Sequence, residues 1–173
     1  MKFPVLTQLF DTDFHGQETR YIGQSVLATL AVFAVLIVLD TIRESASIAS
    51  LGASSFIAFA MPHQRISRPR LMIGGYLIGI VTGVICYWLS LMPVWENVRY
   101  LSTGQHVLFG ALAVGLAIFL MVLTQSEHPP AAGLALGFVI DGTDVRTVVV
   151  VALGIIALSA VKTALKPILK DLT

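Results

Sequence analysis

Four long apolar runs, at residues 22–39, 71–92, 107–123 and 147–165, dominate this sequence and leave a folding chain few options. An α-helix rises 1.5 Å per residue, so about 20 residues cover a hydrocarbon core about 30 Å thick. Each run approaches that length. Each is also apolar all round rather than along one stripe, as burial in lipid or in a helix bundle requires. The run Val148-Val149-Val150-Val151 has the composition of a buried strand, but it sits in a segment too long and too apolar for one. Only 12% of the 173 residues are charged, against 56% hydrophobic, and a water-soluble domain of this size needs more polar surface than that. The expected fold is an all-α polytopic membrane bundle forming one transmembrane domain over residues 1–173.

Two shorter apolar segments interrupt the pattern, at 47–61 (SIASLGASSFIAFAM) and 129–140 (PPAAGLALGFVI). Segments of this length do not comfortably span 30 Å as straight helices. They are rich in Gly, Ala, Ser and Pro, where the long runs are rich in Leu, Val and Ile. The order is long, short, long, and then the same again. This divides the chain into a first half over 21–92 and a second half over 104–166. Residues 1–20 mix Phe3, Leu6, Leu9 and Phe10 with Asp11, Asp13 and Glu18, which suits an interfacial segment better than a secretory signal.

Basic residues distinguish two topologies. If the short segments turn back, one side carries Lys2, Arg20, Arg99, Lys162, Lys166 and Lys170, and the other carries Arg43, Arg65, Arg68, Arg70 and Arg146. If they cross, Lys2, Arg20, Arg65, Arg68, Arg70, Lys162, Lys166 and Lys170 face Arg43, Arg99 and Arg146. Positive charge gathers on the cytoplasmic side, and only six crossings give such a bias. Lys162 is counted with the C-terminus because a lysine in a last helical turn snorkels to the interface. The expectation is therefore four long and two short membrane helices with both termini cytoplasmic, in a bacterial inner membrane. Three crossings per half orient the halves oppositely, as in an inverted repeat.

The net charge of +1 carries no clustered basic face of the kind nucleic acid needs, so no nucleic-acid partner is expected. The single cysteine, Cys86, lies in an apolar run and excludes an intrachain disulfide or thiolate metal site. His15, His63 and His106 have no HExxH or paired-carboxylate companion. No cofactor, metal or enzymatic activity is expected, and the partners foreseen are a small anion, membrane lipid and further copies of the chain.

The stretch GASSFIAFAMPHQRISRPRLMIGG from Gly52 to Gly75, with EHPPAAG from Glu127 to Gly133, resembles the HPP family of integral membrane proteins. The family's His-Pro-Pro motif is matched by His128, Pro129 and Pro130. Its GAS-like segment, proline, PR dipeptide and paired glycine are matched by Gly52-Ala53-Ser54, Pro62, Pro69-Arg70 and Gly74-Gly75. The resemblance implies a helical membrane domain, usually described with four transmembrane helices. Some plastid and cyanobacterial relatives are associated with nitrite transport, and other members carry C-terminal CBS domains. This sequence stops soon after its last span, so regulation through such a domain is not expected.

In the second short segment, Ser126, Glu127 and His128 precede Pro129 and Pro130, a pattern that suits a helix start. A helix beginning inside a membrane presents N–H groups and partial positive charge to a small anion. The candidate substrate-binding residues are His128, Pro129, Pro130 and Ala131, with Gly52, Ala53, Ser54 and Ser55 on the first short segment, where Ser47 and Ser50 add spare hydroxyls. In an inverted repeat the N-terminal ends of the two short helices converge on one site. A plainer reading is a boundary helix with His128 facing water, and small residues at 52–55 that serve only close packing. Gly75, Gly79 and Gly83 form a GxxxGxxxG stripe, and Gly133 and Gly137 a second GxxxG, both read as packing surfaces.

Arg65, Arg68 and Arg70 read as anchors to lipid phosphates, with anion recruitment as a secondary role. Arg43, with Asp40 and Glu44, either gates the exit of the first span or solvates it. Glu127 beside His128 is an ionisable pair at a membrane helix edge, so proton coupling through His128 is a hypothesis. The competing functions are an anion transporter or channel, a structural or partner-binding bundle, and an intramembrane enzyme. The glycine stripes also offer a seat for a neighbouring protomer.

Overall fold

Proline and aspartate set the starts of several helices in the computed structural model, which describes residues 18–38, 45–95 and 104–172. Six α-helices are formed: α1 (Glu18–Val38), α2 (Ser45–Ala60), α3 (Pro69–Ser90), α4 (Gln105–Leu123), α5 (Pro129–Ile140) and α6 (Val145–Leu165). Pro69 opens α3 and Pro129-Pro130 open α5, at positions where a missing N–H costs no helical hydrogen bond. Asp144 caps α6, its carboxylate accepting from the Thr147 N–H at 2.7 Å. Among the described residues there is no strand.

Three helices, α3, α4 and α6, are long and apolar enough to cross a membrane, and the two shorter apolar helices are α2 and α5. α1 matches the long helices at 21 residues. The outer surface is apolar as well. On α3, Leu77, Val81, Ile85 and Trp88 are all more than half exposed, a ridge that water would penalise and lipid accommodates.

Hydrogen bonds at the helix ends show how the chain runs. The Gln24 Nε2 near the start of α1 donates to Phe59 O at the end of α2 and to Lys170 O beyond α6, both at 2.8 Å. The Leu172 N–H bonds to Ala60 O at 2.8 Å. The beginning of α1, the end of α2 and the segment after α6 therefore share one end of the bundle. At the opposite end Trp95, after α3, stacks edge-on against Phe109 of α4, and Gly142, after α5, lies beside Tyr87 of α3. Successive helices thus alternate in direction. Of the described basic residues, Arg20, Arg65, Arg68, Arg70, Lys162, Lys166 and Lys170 belong to the first end, and Arg146 begins α6 at the other.

α5 is the centre of the bundle. It packs on α2, α3 and α4, and its Leu134, Ala135, Phe138 and Val139 are completely buried. The stripe Gly75, Gly79 and Gly83 of α3 makes that approach possible. A Cβ at Gly75 would lie 2.6 Å from the His128 Cβ, and one at Gly83 would lie 3.0 Å from the Ala135 Cα. At Gly79 it would collide with the Ala131 carbonyl oxygen. The packing reading of this stripe holds, and the stripe is used within the protomer rather than presented to another copy. Gly133 of the second motif faces open space.

Candidate functional site

α5 starts below the surface of the bundle. α4 ends in a Schellman-type turn: Gln125 adopts φ 52°, and the Ser126 N–H bonds to Met121 O at 2.8 Å. This turn sends the chain inward, so that His128 lies against Gly75, about 9 Å along α3 from its first residue at 1.5 Å per residue. His128 is fully buried, not water-facing.

The imidazole joins two elements. Its Nε2 lies 2.9 Å from the Ser54 hydroxyl of α2, and its Nδ1 lies 3.3 Å from Ile66 O in the 3₁₀ turn Arg65–Ser67. From Ser54 the polar chain continues. The Ser54 Oγ is 2.9 Å from the Tyr76 hydroxyl, which is 3.2 Å from Ser50 Oγ, and Ser50 donates to Ser47 O at 2.9 Å. All these side chains are buried. A polar column of this kind, inside an otherwise apolar bundle, is stable only because each member is partnered.

One carbonyl along from Ile66, Ser67 O accepts a 2.9 Å hydrogen bond from Lys162 Nζ of α6. Lys162 does not snorkel. It is 2% exposed, and no carboxylate pairs with it among the described residues. Snorkelling fails because the turn that follows α2 folds over the lysine and offers its ammonium a carbonyl. An ammonium buried without a direct ion pair is costly, so its retention points to a task.

A pocket of about 450 Å³ is lined by Arg65, Arg68, Arg70, Leu71, Val122, Gln125 and Glu127. Arg65 is held by Glu127 at 3.0 Å. Arg65 and Arg68 thus begin and end the turn whose carbonyls hold His128 and Lys162.

The candidate residues separate as follows. Ser54 and His128 come together, and Ala131 is buried at the Gly79 crossing. Ser55 is buried but bonds within its own helix, to Leu51 O at 2.8 Å. Gly52 and Ala53 lie on the exposed face of α2, and Pro129 is also exposed, with Pro130 partly so. Arg43, Asp40 and Glu44 lie outside the described residues.

Two expectations change. The N-terminal ends of α2 and α5 do not converge: the start of α5 meets the middle of α2, nine residues in, and the two helices run antiparallel. Nor does α5 offer an array of free N–H groups. Pro129 and Pro130 have none, the Ala131 N–H bonds to His128 O at 2.9 Å, and no side chain caps the helix. Anion contacts here must come from side chains. Tyr76 and Lys162 were not among the expected site residues. For Lys162 a signal exists in hindsight: a lone lysine inside an apolar span.

Comparison with known proteins agrees with this architecture. A 34% identical transmembrane protein of Dictyostelium discoideum aligns over 89 residues, 51% of this chain and 28% of that protein. A second Dictyostelium transmembrane protein is 32% identical over 118 residues, 68% of this chain and 34% of its own length. The chain therefore spans about a third of the length of these relatives. No solved structure matches. The family model for the HPP transmembrane region matches residues 15–171, and the chain is an integral membrane protein of the HPP family.

Proposed function

We propose that this chain carries a small inorganic anion across a membrane, with nitrite the substrate suggested by the resemblance to plastid and cyanobacterial relatives. The observation that carries the proposal is the turn Arg65–Ser67, whose carbonyls hold the buried His128 and Lys162 and whose Arg65 lines a pocket with Arg68 and Arg70. The arginines concentrate anions at the mouth, an effect that works through the local field without a fixed geometry. Inside the bundle, Lys162 supplies a fixed positive charge, and the imidazole and hydroxyls of His128, Ser54 and Tyr76 are groups able to replace water around a small oxyanion.

The alternating helix directions support an inverted repeat of α1–α3 and α4–α6, with α2 and α5 as the paired short helices. The basic residues gathered at the end that holds the start of α1 and the segment after α6 support a cytoplasmic position for that end, in an inner membrane. Flux into liposomes of nitrite, nitrate, formate and chloride tests the reading. Uptake of one of them, lost in Lys162→Gln, is the expected result. Folded protein that moves none of these anions overturns it in favour of a structural or partner-binding bundle.

A further inference from the structure

We propose that Ser50, Tyr76, Ser54 and His128 form a proton relay that charges His128 from the α2 side, away from the arginine-lined pocket. The coupling of that proton to an anion rests on the transport reading above. The relay itself rests on counting donors and acceptors.

Ile66 O can only accept, so the 3.3 Å contact with His128 Nδ1 requires a proton on Nδ1. In the neutral imidazole Nε2 is then bare, and the Ser54 hydroxyl at 2.9 Å donates to it. Ser54 Oγ in turn accepts from the Tyr76 hydroxyl. To complete this polarity the Ser50 hydroxyl, which donates to Ser47 O in the structure, turns to Tyr76 Oη 3.2 Å away. The opposite polarity keeps the directions found at Tyr76 and Ser50: Nε2–H donates to Ser54, Ser54 to Tyr76, Tyr76 to Ser50 and Ser50 to Ser47 O. The two arrangements differ by one proton, which is the condition for a chain that conducts by reversing its hydrogen bonds.

The step balances. A proton reaching Ser50 Oγ displaces the Ser50 proton onto Tyr76, the Tyr76 proton onto Ser54, and the Ser54 proton onto Nε2. Three O–H bonds break and three form as the protons pass along. One N–H bond is gained, and the neutral ring becomes an imidazolium. The Nδ1 side cannot serve this purpose, because a carbonyl has no proton to give. The chain instead climbs α2 towards its N-terminal end, where Ser47 Oγ is buried with no hydrogen-bond partner among the described residues. Seven residues from Ser47 to Ser54 correspond to about 10 Å of helix.

The ionisable groups around the ring are few. α3 contributes Tyr76, with ring centroids 5.7 Å apart. The 3₁₀ turn contributes Arg65, which is paired with Glu127 next to His128 in sequence, and α6 contributes Lys162 on the adjoining carbonyl. The packed face of α2 contributes no ionisable group, only serine hydroxyls and apolar side chains. A ring charged through this route shares its turn with the Lys162 ammonium, and Glu127 is already engaged by Arg65, so the imidazolium gains by having an anion in the site.

The test uses protein labelled with ¹⁵N-histidine in lipid nanodiscs, with the His128 signals assigned by a His128→Asn variant. It is joined to proton uptake measured in proteoliposomes under a nitrite gradient. The expected ring spectrum is an Nδ1–H neutral tautomer. Tyr76→Phe, which removes one hydroxyl and keeps the ring, is expected to slow both His128 proton exchange and proton uptake at least tenfold. Ser54→Ala should do the same, and Tyr87→Phe on the same helix should change neither. An Nε2–H neutral tautomer, or wild-type proton exchange in both Tyr76→Phe and Ser54→Ala, overturns the relay. Slowed exchange in these variants, with no anion moved by any form of the protein, supports the relay and removes the transport reading.

Discussion

The His128 Nε2 and the Ser54 hydroxyl lie 2.9 Å apart, tying the first residue before α5 to the middle of α2 across 74 positions of sequence. The bond forms because the α4–α5 turn is drawn into the bundle and because α3 has no side chain at Gly75 to keep His128 away. The same closeness leaves no room for a side chain at Gly75, Gly79 or Gly83 of α3.

Gly79→Ala should therefore destabilise the protein by about 1–3 kcal/mol, since the added methyl meets the Ala131 backbone and no flexible side chain can yield. Gly52→Ala and Gly133→Ala place a methyl in open space and should be neutral or stabilising by up to about 1 kcal/mol. Thermal unfolding in one detergent, followed for all three variants, checks the sign of each.

Lys162→Met keeps most of the buried volume and removes the charge. Replacing a buried ion by an apolar side chain is often close to neutral, so folding should change by no more than about 1–2 kcal/mol against the lost Ser67 hydrogen bond. Anion flux, in contrast, should fall at least tenfold. Equal flux in the variant and the wild type would show that the lysine is only structural.

Glu127→Gln releases Arg65 into the pocket with Arg68 and Arg70. The pair is half exposed and contributes well under about 1 kcal/mol, so stability should barely move. Initial anion uptake at low ionic strength should rise severalfold. The gain should disappear in about 1 M salt, where the Debye length falls to about 3 Å. Uptake measured at two salt concentrations distinguishes a field effect from a change in the site.

Asp144 carries the pH dependence that is simplest to sign. The Thr147 N–H holds its carboxyl below the usual aspartate range. A lowered value in the folded state means that the cap contributes fully above the unfolded value and is lost as pH falls through the folded one. Asp144→Ala should fray the first turn of α6 at neutral pH. The difference from wild type should close in acid, as read by hydrogen exchange over residues 145–149.

The helices were legible in the sequence because each apolar run is bounded by proline, glycine or charge. The segment expected at 129–140 is the helix Pro129–Ile140, and those expected at 107–123 and 147–165 begin only two residues late. The Gly75-Gly79-Gly83 stripe was also legible, since close helix contact has a fixed three-residue gap. The facing of α2 was not. Its apolar character goes all round, so no moment separates the buried Ser50 and Ser54 from the exposed Gly52 and Ala53. Tyr76 and Lys162 were hidden for another reason: their partners lie 22 to 95 residues away. The missing N–H groups of Pro129 and Pro130 were in plain view, and elementary chemistry alone would have removed the helix-terminus anion site.

The clasp formed by Gln24, Ala60, Lys170 and Leu172 has a bearing on biogenesis. Residues 170–172 leave the ribosome only after α6, yet they fasten the start of α1 to the end of α2. α1 and α2 thus wait, unlatched at that end, until α6 has been threaded.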